Sequence, residues 1–370
     1  MNQKNIEVIA FYLPQYYPTP ENNEWYGAGF TEWTNVGKAK PLFKGHYQPK
    51  VPADLGYYDL RLPQVRQAQA DLAREAGISA FCYYHYWFGN GKVMLDMPMK
   101  EVLRIKEPDF PFCLCWANHS WFKKTWDSTT SMMNYVPLVK QEYPGDQDVV
   151  DHFYALLPCF KDKRYYKIDD KLVFVIYHVD EIPNPELFIE RWQILAQKEG
   201  LPPFLFLAYA DDLARTSHPS YRLCEKTVLS CKYSIDAIGT TRRMRKFSNF
   251  AKSFLSRVSG IPLNKHEYKD VRPKLVTEEF KQEDVIPVLL PNWDNTPRRE
   301  AGALILHNAT PEQFFLHCKD VFDLIKGKEN RTVFLKSWNE WGEGNYMEPC
   351  QKYGHGYLNA LARALRVFNQ

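Results

Sequence analysis

The chain has 370 residues, with 47 Lys and Arg against 44 Asp and Glu and a net charge of +3. That balance argues against nucleic acid or an acidic partner over the whole chain, and 45% hydrophobic content is enough for a sizeable core. Aromatic content is high at 15%; Trp and Tyr fill cores, but their flat apolar faces and polar tips also suit a sugar ring.

In chain order, the first predicted strand is Glu7–Leu13. A long connection, residues 14–58, follows it and carries Trp25, Trp33, Gly27, Gly29 and Gly45. A loop of that length in a compact domain is usually functional, and this one is too aromatic to be disordered. Leu60–Ala76 has apolar residues at helical spacing and stops at Gly77. The strand Ile78–Tyr84 runs into Tyr83-Tyr84-His85-Tyr86-Trp87-Phe88, where His85 reads as a structural histidine and Trp87 as a candidate substrate contact. Met97–Lys106 is helical, and Phe112–Ala117 is the third strand. It ends in Trp116-Ala117-Asn118-His119-Ser120, where Asn118 is suited to sugar hydroxyls. His119 and Ser120 are adjacent and point apart, and no G-x-S-x-G elbow exists, so acyl hydrolysis is not expected.

Asp148–Leu157 and Pro185–Glu199 are predicted helices, Leu172–Tyr177 and Phe204–Tyr209 predicted strands, and Asp236–Thr240 a short sixth strand. The connection 241–284 opens with Arg242, Arg243, Arg245, Lys246 and Lys252 and no acid. It reads as a solvated helix, or, more sharply, as a contact for lipid headgroups or a diphosphate. After the strand Val285–Leu290 come Trp293, Asp294, Arg298 and Arg299; Asp294 pairs with one arginine, or an arginine holds substrate. The helix Pro311–Lys326 begins after the N-cap Thr310, Thr332–Trp338 is the last strand, and Tyr357–Phe368 the last helix.

Eight strands alternating with helices imply an α/β fold, a (β/α)8 TIM barrel in one domain with long βα loops at 14–58 and 241–284. A doubly wound open sheet would need a Gly-rich phosphate turn after the first strand, and the chain has Leu13-Pro14-Gln15-Tyr16 there.

The richest segment is Lys336-Ser337-Trp338-Asn339-Glu340-Trp341-Gly342-Glu343-Gly344, at the end of the eighth strand. Carboxylates three apart share a face in a helical turn, and glycosidic chemistry needs such a pair, one group as acid and the other as base or nucleophile. A pair of Glu on a solvated helix is common, but the flanking Trp338, Trp341 and glycines favour catalysis by Glu340 and Glu343. No H-E-x-x-H, D-x-D or Cys-x-x-Cys occurs, and Cys82, Cys113 and Cys115 sit in apolar runs. Neither metal, cofactor nor disulfide is expected. The run Ile6–Tyr12 is too short for a secretory signal, and no stretch approaches the ~20 apolar residues of a membrane span. A cytoplasmic protein is expected, with peripheral contact at the inner membrane through 242–252 as the further reading.

Phe11-Tyr12-Leu13-Pro14-Gln15-Tyr16-Tyr17-Pro18, Gly29-Phe30-Thr31-Glu32-Trp33-Thr34-Asn35-Val36, Leu55-Gly56-Tyr57-Tyr58-Asp59, Phe81-Cys82-Tyr83-Tyr84, Trp116-Ala117-Asn118, Trp293-Asp294-Asn295-Thr296 and Trp338-Asn339-Glu340-Trp341 resemble the WbsX-type, glycoside hydrolase family 99-like family. The motifs run in order through nearly the whole chain. The resemblance implies a (β/α)8 barrel acting around bacterial surface polysaccharides, O-antigen or capsule, on a glycan or lipid-linked oligosaccharide. Family 99 enzymes are retaining endo-α-mannosidases and mannanases. By motif, Glu340 would assist the substrate's 2-hydroxyl and Glu343 would be acid, then base. The expected substrate-binding set is Tyr12, Gln15, Trp33, Tyr84, Trp87, Trp116, Asn118, Trp293, Asp294, Arg298, Trp338, Asn339 and Trp341. Two positions depart from the pattern: His119 stands where an acid is usual, and Lys336 where a small polar residue is usual, which points to altered specificity or reduced activity. The alternatives are a glycosyltransferase, with a donor site at Arg298, Arg299 or 242–252, and a catalytically silent glycan-binding barrel.

Overall fold

A computed structural model describes residues 5–127, 132–232, 251, 252, 254–256 and 258–369. Eight parallel strands form its centre: β1 (Glu7–Tyr12), β2 (Ala80–Trp87), β3 (Phe112–Trp116), β4 (Lys171–Ile176), β5 (Phe204–Ala210), β6 (Lys226–Leu229), β7 (Val285–Leu289) and β8 (Thr332–Leu335). Each pairs with the next, and β8 pairs back onto β1 from Glu7↔Thr332 to Ala10↔Leu335, so the sheet closes into a barrel. The strands are almost wholly buried because side chains fill one face and helices cover the other. Phe11 on β1 reaches the ring of Tyr209 on the opposite strand β5 with centroids 5.7 Å apart, so the interior is packed.

Seven strands lie where periodicity put them, within a few residues at their ends. The sixth does not. Lys226–Leu229 takes that position, and Asp236–Thr240 lies outside the described residues. The cause is local: the strand has four residues, its first two only half-buried, so neither an apolar run nor an alternation marks it.

The helices are α1 (Pro63–Glu75), α2 (Met97–Ile105), α3 (Asp146–Phe160), α4 (Pro185–Lys198), α5 (Pro311–Ile325) and α6 (Gly356–Phe368). Their starts follow capping chemistry. The Asn184 side chain accepts from Leu187 N and the Thr310 side chain from Gln313 N, each with Pro in the first turn. Trp192 on α4 is fully buried and packs on Phe174 of β4 at 4.7 Å between centroids, pinning helix to barrel.

Loops after the strands build the site. The loop after β1 holds two short helices, Pro20–Tyr26 and Glu32–Lys38. The loop after β3 forms an antiparallel hairpin, Trp121–Asp127 with Met132–Val139, for which the sequence had given no element. Within the second long connection, Lys265–Glu267 pairs with Ile305–His307, and a small second core gathers Tyr268, Leu275, Trp293 and Leu306. The basic segment 242–252 falls, except for its last two residues, outside the described residues. Among the described residues no helix is long and apolar enough to cross a membrane.

Candidate active site

A cleft of about 910 Å³ opens over the C-terminal ends of the strands. Glu340 and Glu343 lie on its floor beyond β8, with Gln15, Tyr84 and Arg298 also in its lining. The chain at the pair is tightly folded: Asn339–Glu340 bridges back to Asn345–Tyr346, and Trp341–Glu343 makes one 3-10 turn between them. Gly344 closes that turn at φ +56°, a left-handed conformation that favours glycine. Gly342 is needed for space, because a Cβ there would collide with the Glu32 carboxylate.

Arg298 binds both acids. Its Nη1 lies 3.3 Å from Glu340 Oε1 and 3.0 Å from Glu343 Oε1, while its Nε donates to Glu32 Oε1 at 2.9 Å. Two oxygens sharing one nitrogen are no further apart than those two distances laid end to end. That bound falls short of the about 6.5–9.5 Å typical of inverting glycosidases and admits the ~5 Å of retaining ones.

The same arrangement splits the two acidities. Burial, the neighbouring Glu343 charge and low access to water raise Glu340 to about 7, the nearby Arg298 offsetting only part of this. Glu343 also suffers burial, but Arg298, with Lys232 and Lys336 behind it, outweighs that and holds it below the usual carboxylate range. The two shifts run in opposite directions, favouring the proton on Glu340 and the charge on Glu343. Such a split is what acid–base chemistry requires.

Several expected contacts are used inside the wall instead of facing the cleft. Trp87 Nε1 donates to Asp148 Oδ2 (3.0 Å), and Trp116 Nε1 donates to the Trp87 carbonyl (2.9 Å). Asn118 gives its amide to Tyr143 Oη and the His178 carbonyl and accepts from His178 N, all within 3.0 Å. Trp33 Nε1 donates to the Tyr58 carbonyl at 2.8 Å. Trp293, 2% exposed, carries the Lys232 ammonium 3.6 Å above its ring. Asp294 pairs with neither Arg298 nor Arg299. It accepts from His46, Gln48 and Thr296 at 2.8–2.9 Å, and its own N–H donates to the Glu343 carbonyl at 2.8 Å.

Behind the pair runs a buried polar chain. Tyr12 Oη donates to Gln69, whose amide donates to Glu348; Tyr58 Oη and Trp341 Nε1 also donate to Glu348, at 3.0 and 2.6 Å. Asn339 accepts from Leu13 N and donates to the Leu13 carbonyl, tying the loop to the end of β1. Trp338 is fully buried against Phe81. These residues fix the loop carrying the two glutamates rather than line the cleft.

The cleft's own aromatic surface comes from Tyr26 and Phe30 of the first loop, Tyr86 of β2, Trp121 and Phe122 of the hairpin, and Tyr177 after β4. Glu32 lies outside the expected site residues; its signal in the sequence is an acidic residue between the aromatics Phe30 and Trp33 in a long loop. Among the described residues no group of three or more His, Cys, Asp or Glu side chains could hold a metal ion.

Solved structures share this architecture. One described as a glycoside hydrolase-like protein superposes with a TM-score of 0.58 at 14% identity, covering 99% of this chain and 95% of its own. The family 99 endo-α-mannosidase from Bacteroides thetaiotaomicron superposes with 0.55 at 14% identity, covering 98% and 97%. At that identity the likeness shows the fold alone. In sequence, the chain is 32% identical over 362 residues to the uncharacterised protein WxcX of Xanthomonas campestris pv. campestris, covering 97% of this chain and 49% of WxcX, so it spans about half the length of those relatives. The model of the family described as glycosyltransferase WbsX matches residues 8–361, and the chain belongs to the WbsX family of carbohydrate-active (β/α)8 barrels.

Proposed function

We propose that this protein cleaves or remodels α-glycosidic bonds of a bacterial surface polysaccharide, with Glu340 and Glu343 as its acid–base pair. The observation that carries the reading is the single guanidinium of Arg298 bridging the buried Glu340 and the half-buried Glu343, on the floor of a cleft large enough for several sugar rings. The free site favours Glu340 as the group that protonates the leaving oxygen and Glu343 as the ionised partner. The resemblance implies the opposite order, with Glu340 assisting the 2-hydroxyl and Glu343 as acid, then base. An aryl glycan with a good leaving group separates the two, because it needs no acid: the variant lacking the acid keeps its rate on that substrate and loses it on the natural linkage.

Product analysis tests the function itself. Wild type and Glu343→Gln are compared on bacterial surface glycans and α-mannan fragments, with and without nucleotide sugars. Shortening without nucleotide, abolished in the variant, supports a hydrolase. Lengthening that needs a nucleotide sugar sinks it in favour of the transferase suggested by the family's name. Tight binding with no turnover supports the silent glycan-binding barrel.

We also propose that the substrate is presented on lipid. Leu255, Val258, Ile261 and Leu263 are exposed, 47–71%, just after the basic run 242–252. Exposed apolar side chains that follow a basic run in sequence suit an anionic bilayer surface.

A further inference from the structure

The cleft is more basic than the chain as a whole. Six cations line it, Lys38, Lys123, Lys232, Arg298, Arg299 and Lys336, against three carboxylates, Glu32, Glu340 and Glu343. Arg298 is taken up by all three acids. Lys123 is tied to the Trp25 carbonyl and Lys232 sits over the Trp293 ring, which leaves Lys336 for closer reading.

One corner of the cleft concentrates the excess. Lys336 is 3% exposed at the end of β8. Its Nζ donates to Tyr209 Oη at 3.0 Å and Tyr177 Oη at 3.2 Å, beside two rings stacked at 4.5 Å. Both partners are phenols, not carboxylates. Among the described residues no carboxylate lies within 4 Å of this ammonium, and its third N–H has no partner. His119 stands next to it, its ring 5.8 Å from that of Tyr177. Its Nδ1 is buried without a hydrogen-bond partner. Burial, and then the charge of Lys336, push the imidazole down to about 4, so it is neutral and has one N–H to give. A buried ammonium with one N–H unused beside a buried ring nitrogen without a partner is costly unless something arrives to meet them.

We propose that Lys336 and His119 form a subsite for an anionic substituent of the glycan, a carboxylate or a phosphate carried on a ring next to the scissile bond. The inference rests on the glycan-active reading above and names its substrate class. Lys336 gives its third N–H to the anion and His119 gives its ring N–H. The phenols of Tyr177 and Tyr209 hold the ammonium in place without neutralising it. Glu340 lies close enough to feel the same charge, so an anion seated here also favours the protonated form of Glu340.

The test is binding to the intact protein with three probes: a glucuronate-containing oligosaccharide, the same oligosaccharide after carboxyl reduction, and a hexose phosphate. Calorimetry gives affinities, and NMR of labelled histidine follows His119. The acidic oligosaccharide is expected to bind roughly 10- to 100-fold tighter than its reduced form, the value of one or two charge-assisted hydrogen bonds. The His119 titration should move upward with the anionic probes and stay put with the neutral one. Lys336→Gln and His119→Asn should each reduce the preference, and His119→Asn serves alone if Lys336→Gln fails to fold. Preference for glucuronate over hexose phosphate identifies a uronic acid, and the reverse a phosphorylated sugar. Equal binding of acidic and reduced forms, or a preference that survives both substitutions, overturns the subsite and leaves the glycan reading standing. Binding of neither oligosaccharide sinks both.

Discussion

Glu32 and Arg298 are 266 residues apart in the chain and 2.9 Å apart in the fold. One comes from the loop after β1, the other from the turn after β7, and together they hold the guanidinium that divides the two candidate catalytic acids. Glu32 is only 3% exposed, so this ion pair is also a structural joint between loops.

Removing the cation should therefore do two things. In Arg298→Gln, the buried Glu32 loses its countercharge, which should cost about 3 kcal/mol, the low end for a broken buried pair because Arg298 opens to the cleft. Glu343 loses the charge that held its pKa low, so that pKa moves up and the acid limb of the pH–rate profile shifts to higher pH. Thermal denaturation and a pH profile of kcat/KM measure the two effects separately.

The split pair predicts the profile of the wild type. On the proposed assignment, activity needs Glu340 protonated and Glu343 ionised. It should fall as pH rises through about 7, where Glu340 loses its proton, and fall again well into the acid range. Either Glu340→Gln or Glu343→Gln should lower kcat on natural linkages by about 10²–10⁴-fold, with little change in melting temperature.

Asp294 makes a stability prediction. Although burial opposes it, Lys50, His46 and Thr296 hold its carboxyl down to about 2. A depressed folded value means the stability is present above the unfolded value near 4 and lost as pH falls through about 2. The contribution is about 2 kcal/mol at neutral pH. Acid unfolding of Asp294→Asn should show a flatter pH dependence over that window than wild type.

The hairpin wall should act on binding more than on chemistry. Trp121 packs on Tyr86 at 5.0 Å and lines the cleft. Trp121→Ala should raise KM by about tenfold while kcat changes little, the pattern of lost uniform binding. Steady-state kinetics on one oligosaccharide decides this.

Lipid presentation has its own test. Val258→Asp combined with Ile261→Asp should lower the fraction of protein that floats with vesicles containing anionic lipid, leaving hydrolysis of a soluble oligosaccharide unchanged. Undiminished flotation would remove that patch from the account.

Seven barrel strands and the Glu340–Glu343 pair were legible because their signals are local. Buried parallel strands are short apolar runs, and the two acids sit in one segment among tryptophans and glycines. Lys226–Leu229 was not legible, because four half-polar residues carry no period. Nor was the Trp121 hairpin, which reads as a mixed polar stretch until it folds over the cleft.

The identity of the cleft's lining lay beyond the sequence for a related reason. Trp87, Trp116, Asn118 and Trp341 sit in motifs that suggested sugar contact, yet each has its polar atom satisfied within the wall. A motif shows that a side chain matters, not which way it points. The sequence by itself determined the barrel, the acid pair and the aromatic richness, because periodicity and short motifs are properties of neighbouring residues. Only the tertiary structure decided that Arg298, held by Glu32, bridges the two candidate acids, and that His119 lies within reach of the Lys336 charge. Electrostatic coupling depends on distance through space, and closing the barrel brings together charges from loops hundreds of residues apart.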